Sequence, residues 1–205
     1  YRMPASTPAQ AEPWSWMRVL GQVGGLYIVM ETDDGLVLMD PHAAHERVLF
    51  ERFMAEVSSK RSQSHRLLRA EMVELSPKRA QILRQHLEFM NKIGFSIAEF
   101  GGDTFVVDAI PICLQEVSLQ VLIPDLAASL EEVGERADSS RVLEEHIAQA
   151  SCKAAVKAHN PLTLEEIETL VKQLAKTKMP YTCPHGRPTL IHISWQEMDK
   201  KFGRL

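Results

Sequence analysis

Nowhere in the 205-residue chain does an apolar run approach the ~18 residues that a membrane-spanning helix requires. Nor do the first residues show the basic-then-apolar pattern of a secretory signal. Together these absences predict a cytoplasmic protein with no membrane partner. Cysteine is scarce. Cys113, Cys152 and Cys183 are the three in the chain, and an odd, sparse set argues against a disulfide framework. A basic excess is also missing, with a formal net charge of −4. Affinity for nucleic acid comes mainly from neutralising phosphates, so tight unaided DNA binding is not expected. There is no Gly-rich phosphate-binding loop, which excludes an ATP site from this stretch of chain. Internal repeats and low-complexity cores are absent too.

What is present reads as an ordinary globular domain, 45% hydrophobic and 24% charged. Residues 1–13 hold Pro4, Pro8 and Pro13 among Ala, Ser, Thr and Gln, which predicts the end of a disordered linker and hence a fragment of a longer protein. Short apolar stretches at 17–22, 25–31 and 36–39 predict strands. Asp33-Asp34-Gly35 is a hairpin signal between the last two. At Asp40-Pro41 the period turns helical: Asp40 can cap the first turn, and Pro41 suits a position whose N–H is not needed. That helix is expected to run to about Val57. A strand–helix–strand–strand–helix run follows: 67–75 extended, 77–93 helical, strands at 95–100 and 104–109, then 122–133 helical. A long helix is predicted from Val142 to about His159. Thr163 and Glu166 form a capping box for the next, and 189–194 is a last strand before a polar helical tail. The predicted fold is α+β with two lobes. Residues 14–60 and 142–205 build one, and 61–141 are inserted as the other.

Three segments could carry chemistry. In the first, His42 and Glu46 lie four apart on one helix face, where an imidazole and a carboxylate can share a metal ion. Asp40 could join them or orient His42. The plainer reading is an N-cap with an exposed His–Glu pair. Glu51 points away from that face and is four past Arg47, which suits an ion pair; His45, three past His42, could be a ligand but is expected to be exposed. In the second, Ser151-Cys152-Lys153-Ala154-Ala155-Val156-Lys157, the cysteine is either a ligand or a buried thiol among small residues. Lys153 and Lys157 share a face that would suit phosphate or simply solvent. The third, Cys183-Pro184-His185-Gly186-Arg187-Pro188, sets two strong metal donors two residues apart in a rigid loop, and packing alone gives little reason for that. His42, Glu46, Cys152, Cys183 and His185 together exceed the four ligands of a closed zinc site, as an open or two-metal catalytic centre would.

These segments closely resemble the endonuclease motifs of the MutL mismatch-repair family. The family's helix motif reads Asp-Gln-His-Ala-x-x-Glu-x-x-x-x-Glu. Asp40, His42, Ala43, Glu46 and Glu51 stand in register with it, and Pro41 replaces the Gln. Residues 151–157 and 183–188 look like the second and third motifs, and Phe202-Gly203-Arg204 like the terminal Phe-x-Arg. The resemblance implies the C-terminal endonuclease and dimerisation region of such a protein. Asp40, His42 and Glu46 would be catalytic, and His42, Glu46, Cys152, Cys183 and His185 zinc ligands, with Mn2+ or Mg2+ possible for cleavage itself. Lys153, Lys157 and Arg187 are candidates for phosphate contacts. It also implies a homodimer, weak intrinsic binding of double-stranded DNA, a MutS-type mismatch sensor met through the full-length protein, and action on chromosomal DNA. The replication sliding clamp is a further implied partner. Clamp-binding segments carry Gln, aliphatics and then Pro, whereas this chain offers Leu67 and Leu68 with no well-placed Pro.

Two rival readings remain. One is a non-catalytic dimerisation module stabilised by zinc. The other is a metallopeptidase, but His42-Ala43-Ala44-His45-Glu46 matches neither His-Glu-x-x-His nor His-x-x-Glu-His.

Overall fold

Alternating and helical apolar periods sort the chain into seven strands and six α-helices among the described residues, an α+β fold. The computed structural model describes residues 14, 17–58, 64–115, 117–133, 140–155 and 162–204, so the predicted linker 1–13 lies outside it. Strands β1 (Arg18–Val23), β2 (Tyr27–Thr32) and β3 (Gly35–Met39) precede helix α1 (Pro41–Ser58). Then come β4 (Ser64–Glu74), α2 (Pro77–Lys92), β5 (Ser96–Gly101), β6 (Thr104–Pro111), α3 (Leu119–Val133) and α4 (Ser140–Ala155). The chain closes with α5 (Leu164–Ala175), β7 (Leu190–Ser194) and α6 (Trp195–Lys201).

Two compact units divide these elements. One is residues 1–45 with 158–205, the other 46–157, and the division falls inside α1, which runs through it as one continuous helix. The first unit holds an antiparallel sheet in the order β1-β2-β3-β7. The Asp33-Asp34 turn forms where expected, with Thr32 opposite Gly35. Period-two patterning gives the sheet a buried face of Ile28, Met30, Val37 and Met39. Helix α5 begins at the predicted capping box: the Thr163 hydroxyl accepts from Glu166 N–H, and the Glu166 carboxylate accepts from Thr163 N–H. It buries Ile167, Leu170, Val171 and Leu174, a stripe at helical spacing.

In the second unit, β4, β6 and β5 form an antiparallel sheet in that order. Phe53, Leu83, Met90, Phe105, Leu122 and Leu126 are fully buried in its core. Helix α3 starts at Leu119, three residues before the expected Leu122, and so contains Pro124 a turn further in. Pro124 offers no N–H to the carbonyl four residues back. Burial of Leu119, Leu122, Ile123 and Leu126 on one stripe outweighs that loss. Residues 156–159, the expected end of the helix starting near Val142, lie outside the described residues.

Gly35 is the tightest point of the first sheet. A Cβ there would stand 2.3 Å from the Ile193 carbonyl oxygen and 2.9 Å from Ser194 Cα, both backbone atoms that cannot step aside. Gly35→Ala is expected to cost about 1–3 kcal/mol through overpacking. Urea unfolding should show a lowered midpoint; an unchanged midpoint would mean that the β3–β7 pairing is looser than this geometry requires.

Candidate metal centre

The turn from β3 into α1 is satisfied donor by donor. Pro41 has no N–H, the His42 and Ala43 N–H groups donate to Asp40 Oδ1 at 2.9 and 3.1 Å, and Ala44 N–H donates to the Asp40 carbonyl at 3.0 Å. Asp40 N–H in turn donates to the Thr189 carbonyl at 2.9 Å. This fixes the helix start and puts the half-buried His42 ring beside Asp40, with Nδ1 3.6 Å from Oδ1.

Thr189 also anchors the third motif. Its N–H donates to the Tyr181 carbonyl at 3.1 Å, and its buried hydroxyl donates to the Pro180 carbonyl. Inside that frame Thr182 and Pro188 pair as an isolated bridge, Cys183 N–H donates to the Arg187 carbonyl at 2.8 Å, and Gly186 N–H donates to the Cys183 carbonyl at 3.0 Å. Gly186, at φ 83°, takes the left-handed conformation that closes so tight a loop. The Cys183 thiol faces inward and is buried, whereas His185 and Arg187 are exposed.

Glu46, one turn beyond His42 on α1, is buried. A carboxylate oxygen of Glu46, the Cys183 sulfur and a His185 ring nitrogen all lie within 4.8 Å of one another. Zinc bonds of about 2.0–2.3 Å in tetrahedral array set neighbouring ligand atoms about 3.3–3.8 Å apart, so modest side-chain rotation would let all three bind one ion. A thiolate, an imidazole and a carboxylate also form a donor set suited to zinc. The group contains neither His42 nor Cys152.

Cys152 lies fully buried on α4. Burial pushes its thiol well above the ordinary value; Cys113 and Glu46 act in the same direction and Arg47 against it. Cys113, half-buried, is pushed up to about 12 by burial and by the neighbouring Glu56. Of the phosphate candidates, Arg187 is exposed; the Lys153 side chain and all of Lys157 lie outside the described residues. Glu51 forms the expected ion pair with Arg47, at 3.7 Å. Phe202 is exposed, with the Arg204 guanidinium 5.9 Å from its ring centroid. Leu67 and Leu68 fall in the irregular stretch of β4 between Arg66 and Glu71; Leu67 packs against the core, while Leu68 is fully exposed in an open groove also lined by His65, Arg69, Met72 and Gln120.

One expectation is corrected. His45 is half-buried, not exposed, because α1 is enclosed on several sides, with Ala43, Ala44, Arg47 and Val48 all buried. Burial and His42 lower its imidazole pKa, and Glu166 opposes them. The role of Thr189 was not foreseen, since its backbone does the work and no side-chain pattern marks it.

The capping geometry predicts that Asp40→Ala destabilises the fold by about 0.5–2 kcal/mol, while Asp40→Asn, which keeps an accepting oxygen, stays close to the parent. Urea titration of the two variants decides; equal losses would show that the cap contributes nothing.

Comparison with known proteins bears on the same segments. A family model described as the MutL C-terminal dimerisation domain matches residues 20–162. "DNA mismatch repair protein MutL" of Clostridium botulinum (strain Langeland) is 35% identical over 189 residues, covering 92% of this chain and 28% of that protein. The protein of that name in Trichlorobacter lovleyi is 35% identical over 201 residues, 96% of this chain and 34% of its own. That of Geotalea uraniireducens is 36% identical over 188 residues, 92% of this chain and 31% of its own. The chain thus spans about a third of the length of these relatives. The Cys183–Pro188 loop lies beyond the family-model match, although the relatives align over nearly all of the chain. With seven-tenths of its residues matched by the model, the chain belongs to the family of MutL C-terminal dimerisation domains.

Proposed function

We propose that this chain is the portion of a mismatch-repair protein that forms a homodimer and nicks one strand of double-stranded DNA at a divalent-metal site. The observation that carries the nuclease reading is the gathering of Glu46, Cys183 and His185 within 4.8 Å, with one side buried and the other exposed. A closed structural site has no need of an exposed side; a hydrolytic one does. Zinc is the fitting ion for these three donors, with His42 and Cys152 as further candidates, and Mn2+ or Mg2+ suits the carboxylates of Asp40 and Glu46. A bound ion would lower the pKa of a water and stabilise charge on the scissile phosphate.

The chain's own residues have separate tasks. Asp40, fixed by its cap hydrogen bonds, would orient the attacking water, and Glu46 would hold the ion. Water adds to phosphorus and gives up one proton, the P–O bond to one flanking sugar breaks, and the leaving oxygen takes up a proton, so none is gained or lost overall. Arg187, with Lys153 and Lys157, neutralises the strand's phosphates. The net charge of −4 leaves little general affinity for DNA. Delivery then falls to partners of the longer protein, a mismatch sensor of the MutS type and the sliding clamp, on chromosomal DNA in the cytoplasm.

Supercoiled plasmid incubated with the chain and manganese should yield nicked circles. Asp40→Asn, which keeps the cap, should yield at least a hundredfold fewer. No nicking with any metal, while elemental analysis still finds zinc, would favour a non-catalytic dimerisation module.

The dimer reading rests on the outer face of the first sheet. Val29, Leu38 and Ile191 line up across β2, β3 and β7, with Leu36 and Ile193 in the row beside them. None is fully buried, and Ile191 is 53% exposed. A contiguous apolar face of this kind is what a second copy would cover. Sedimentation should show a dimer, and Ile191→Asp should shift it towards monomer; a dimer unaffected by that change would place the interface elsewhere.

A further inference from the structure

Charge along this acidic chain is unevenly spread. From Thr169 to Gln196 there is no Asp or Glu, and the stretch carries Lys172, Lys176, Lys178 and Arg187. All four cations are exposed. Lys172 and Lys176 also complement the C-terminal end of α5. Among these cations stands Tyr181, 63% exposed although its backbone is pinned by the Thr189 N–H hydrogen bond at the neck of the third-motif loop. Trp14 backs it, with ring centroids 6.2 Å apart and planes tilted by 39°. An exposed aromatic ring with a fixed backbone, in a segment that carries cations and no carboxylate, is the kind of feature on which unpaired nucleic-acid bases stack.

We propose that Tyr181, supported by Trp14, is a stacking platform for an unpaired DNA base, and that Lys176, Lys178 and Arg187 hold the phosphates of that strand. The inference rests on the nuclease reading and deepens it by naming the form of substrate: DNA with a base out of the duplex stack at the cut. Tyr181 and Cys183 are two residues apart, so their Cα atoms are separated by at most about 7.6 Å. Successive bases of a strand rise about 3.4 Å. A base on Tyr181 therefore keeps its strand within about two nucleotide steps of Cys183. Fixing the Tyr181 backbone in advance lowers the ordering cost of binding. It also selects for locally opened DNA, because a base still in its duplex cannot offer a face to the ring.

The test uses the zinc-loaded chain without manganese and oligonucleotides carrying 2-aminopurine. One is single-stranded, one a duplex with the probe in a single-base bulge, and one a duplex with the probe paired. Fluorescence of the unpaired probes should be quenched on binding to the parent protein, and the paired probe should change little. Tyr181→Ala should weaken binding of the unpaired forms at least about fivefold and abolish quenching, while Tyr181→Phe, which keeps the ring, retains both. Lys178→Glu should lower the salt dependence of binding. Zinc content, measured on each variant, separates loss of the platform from loss of the metal loop. If Tyr181→Ala loses zinc, quenching in the parent protein decides alone. A parent that nicks plasmid but leaves unpaired probes bright, or a zinc-bound Tyr181→Ala that binds them as tightly as the parent, would overturn the platform and leave the nuclease reading standing. A parent that neither nicks nor binds any of the three DNAs would remove both.

Discussion

Most of the first unit's chemistry hangs from the backbone of one residue, Thr189. Its carbonyl accepts the Asp40 N–H and its own N–H reaches the Tyr181 carbonyl, so it ties the start of α1 and the neck of the Cys183–Pro188 loop to the same point. The β3–β7 ladder leads into that point, with Met39 opposite Leu190. The constraint is geometric before it is energetic. Each hydrogen bond contributes only about 0.5–1.5 kcal/mol net, but together they leave the loop and the helix start almost no independent freedom. A metal ligand on a loop is as well placed as the loop is held, and here the holding falls mainly to backbone groups, with the Thr189 hydroxyl adding a bond to the Pro180 carbonyl.

The same reasoning separates what the sequence made legible from what it hid. Signals written in neighbouring residues were readable. Asp40-Pro41 opens a helix because one residue supplies an acceptor and the next lacks a donor, and the Thr163–Glu166 box and Asp33-Asp34 turn formed as expected. The start of α3 lies three residues before the expected Leu122, because the apolar stripe from Leu119 to Leu126 carries the helix back to Leu119. His45 was misjudged because exposure depends on what surrounds α1, and a helical wheel holds no record of that.

The candidate centre was legible only as an inventory. The donor types and their local spacing stood in the sequence, and the resemblance to MutL motifs grouped them. That Glu46, Cys183 and His185 converge depends on β3 pairing with β7, strands about 150 residues apart, and no local period encodes that pairing. Thr189 was invisible for the same reason. Arg47 shows the opposite case. Its pairing with Glu51 followed from i,i+4 spacing, but its near-complete burial did not, and a buried guanidinium beside the site does more to set local charge than a surface pair would.

Charge ties these threads together. If the chain nicks DNA as proposed, tight binding everywhere would make it cut at random, and a net charge of −4 gives it no general attraction for phosphate. Such a protein still needs local attraction at the moment of cleavage. The acid-free stretch 169–196 would supply it within the segment that carries Cys183 and His185, so that attraction and the proposed chemistry would coincide in one place. Salt screening reaches only about 8–10 Å at ordinary ionic strength, so a strand feels these cations once it is already near the loop. On the proposed reading, weak overall affinity with a short-range basic path makes delivery by partners necessary while leaving cleavage itself to this chain. A uniformly basic surface would have removed the need for delivery, and with it the control over where the strand is cut.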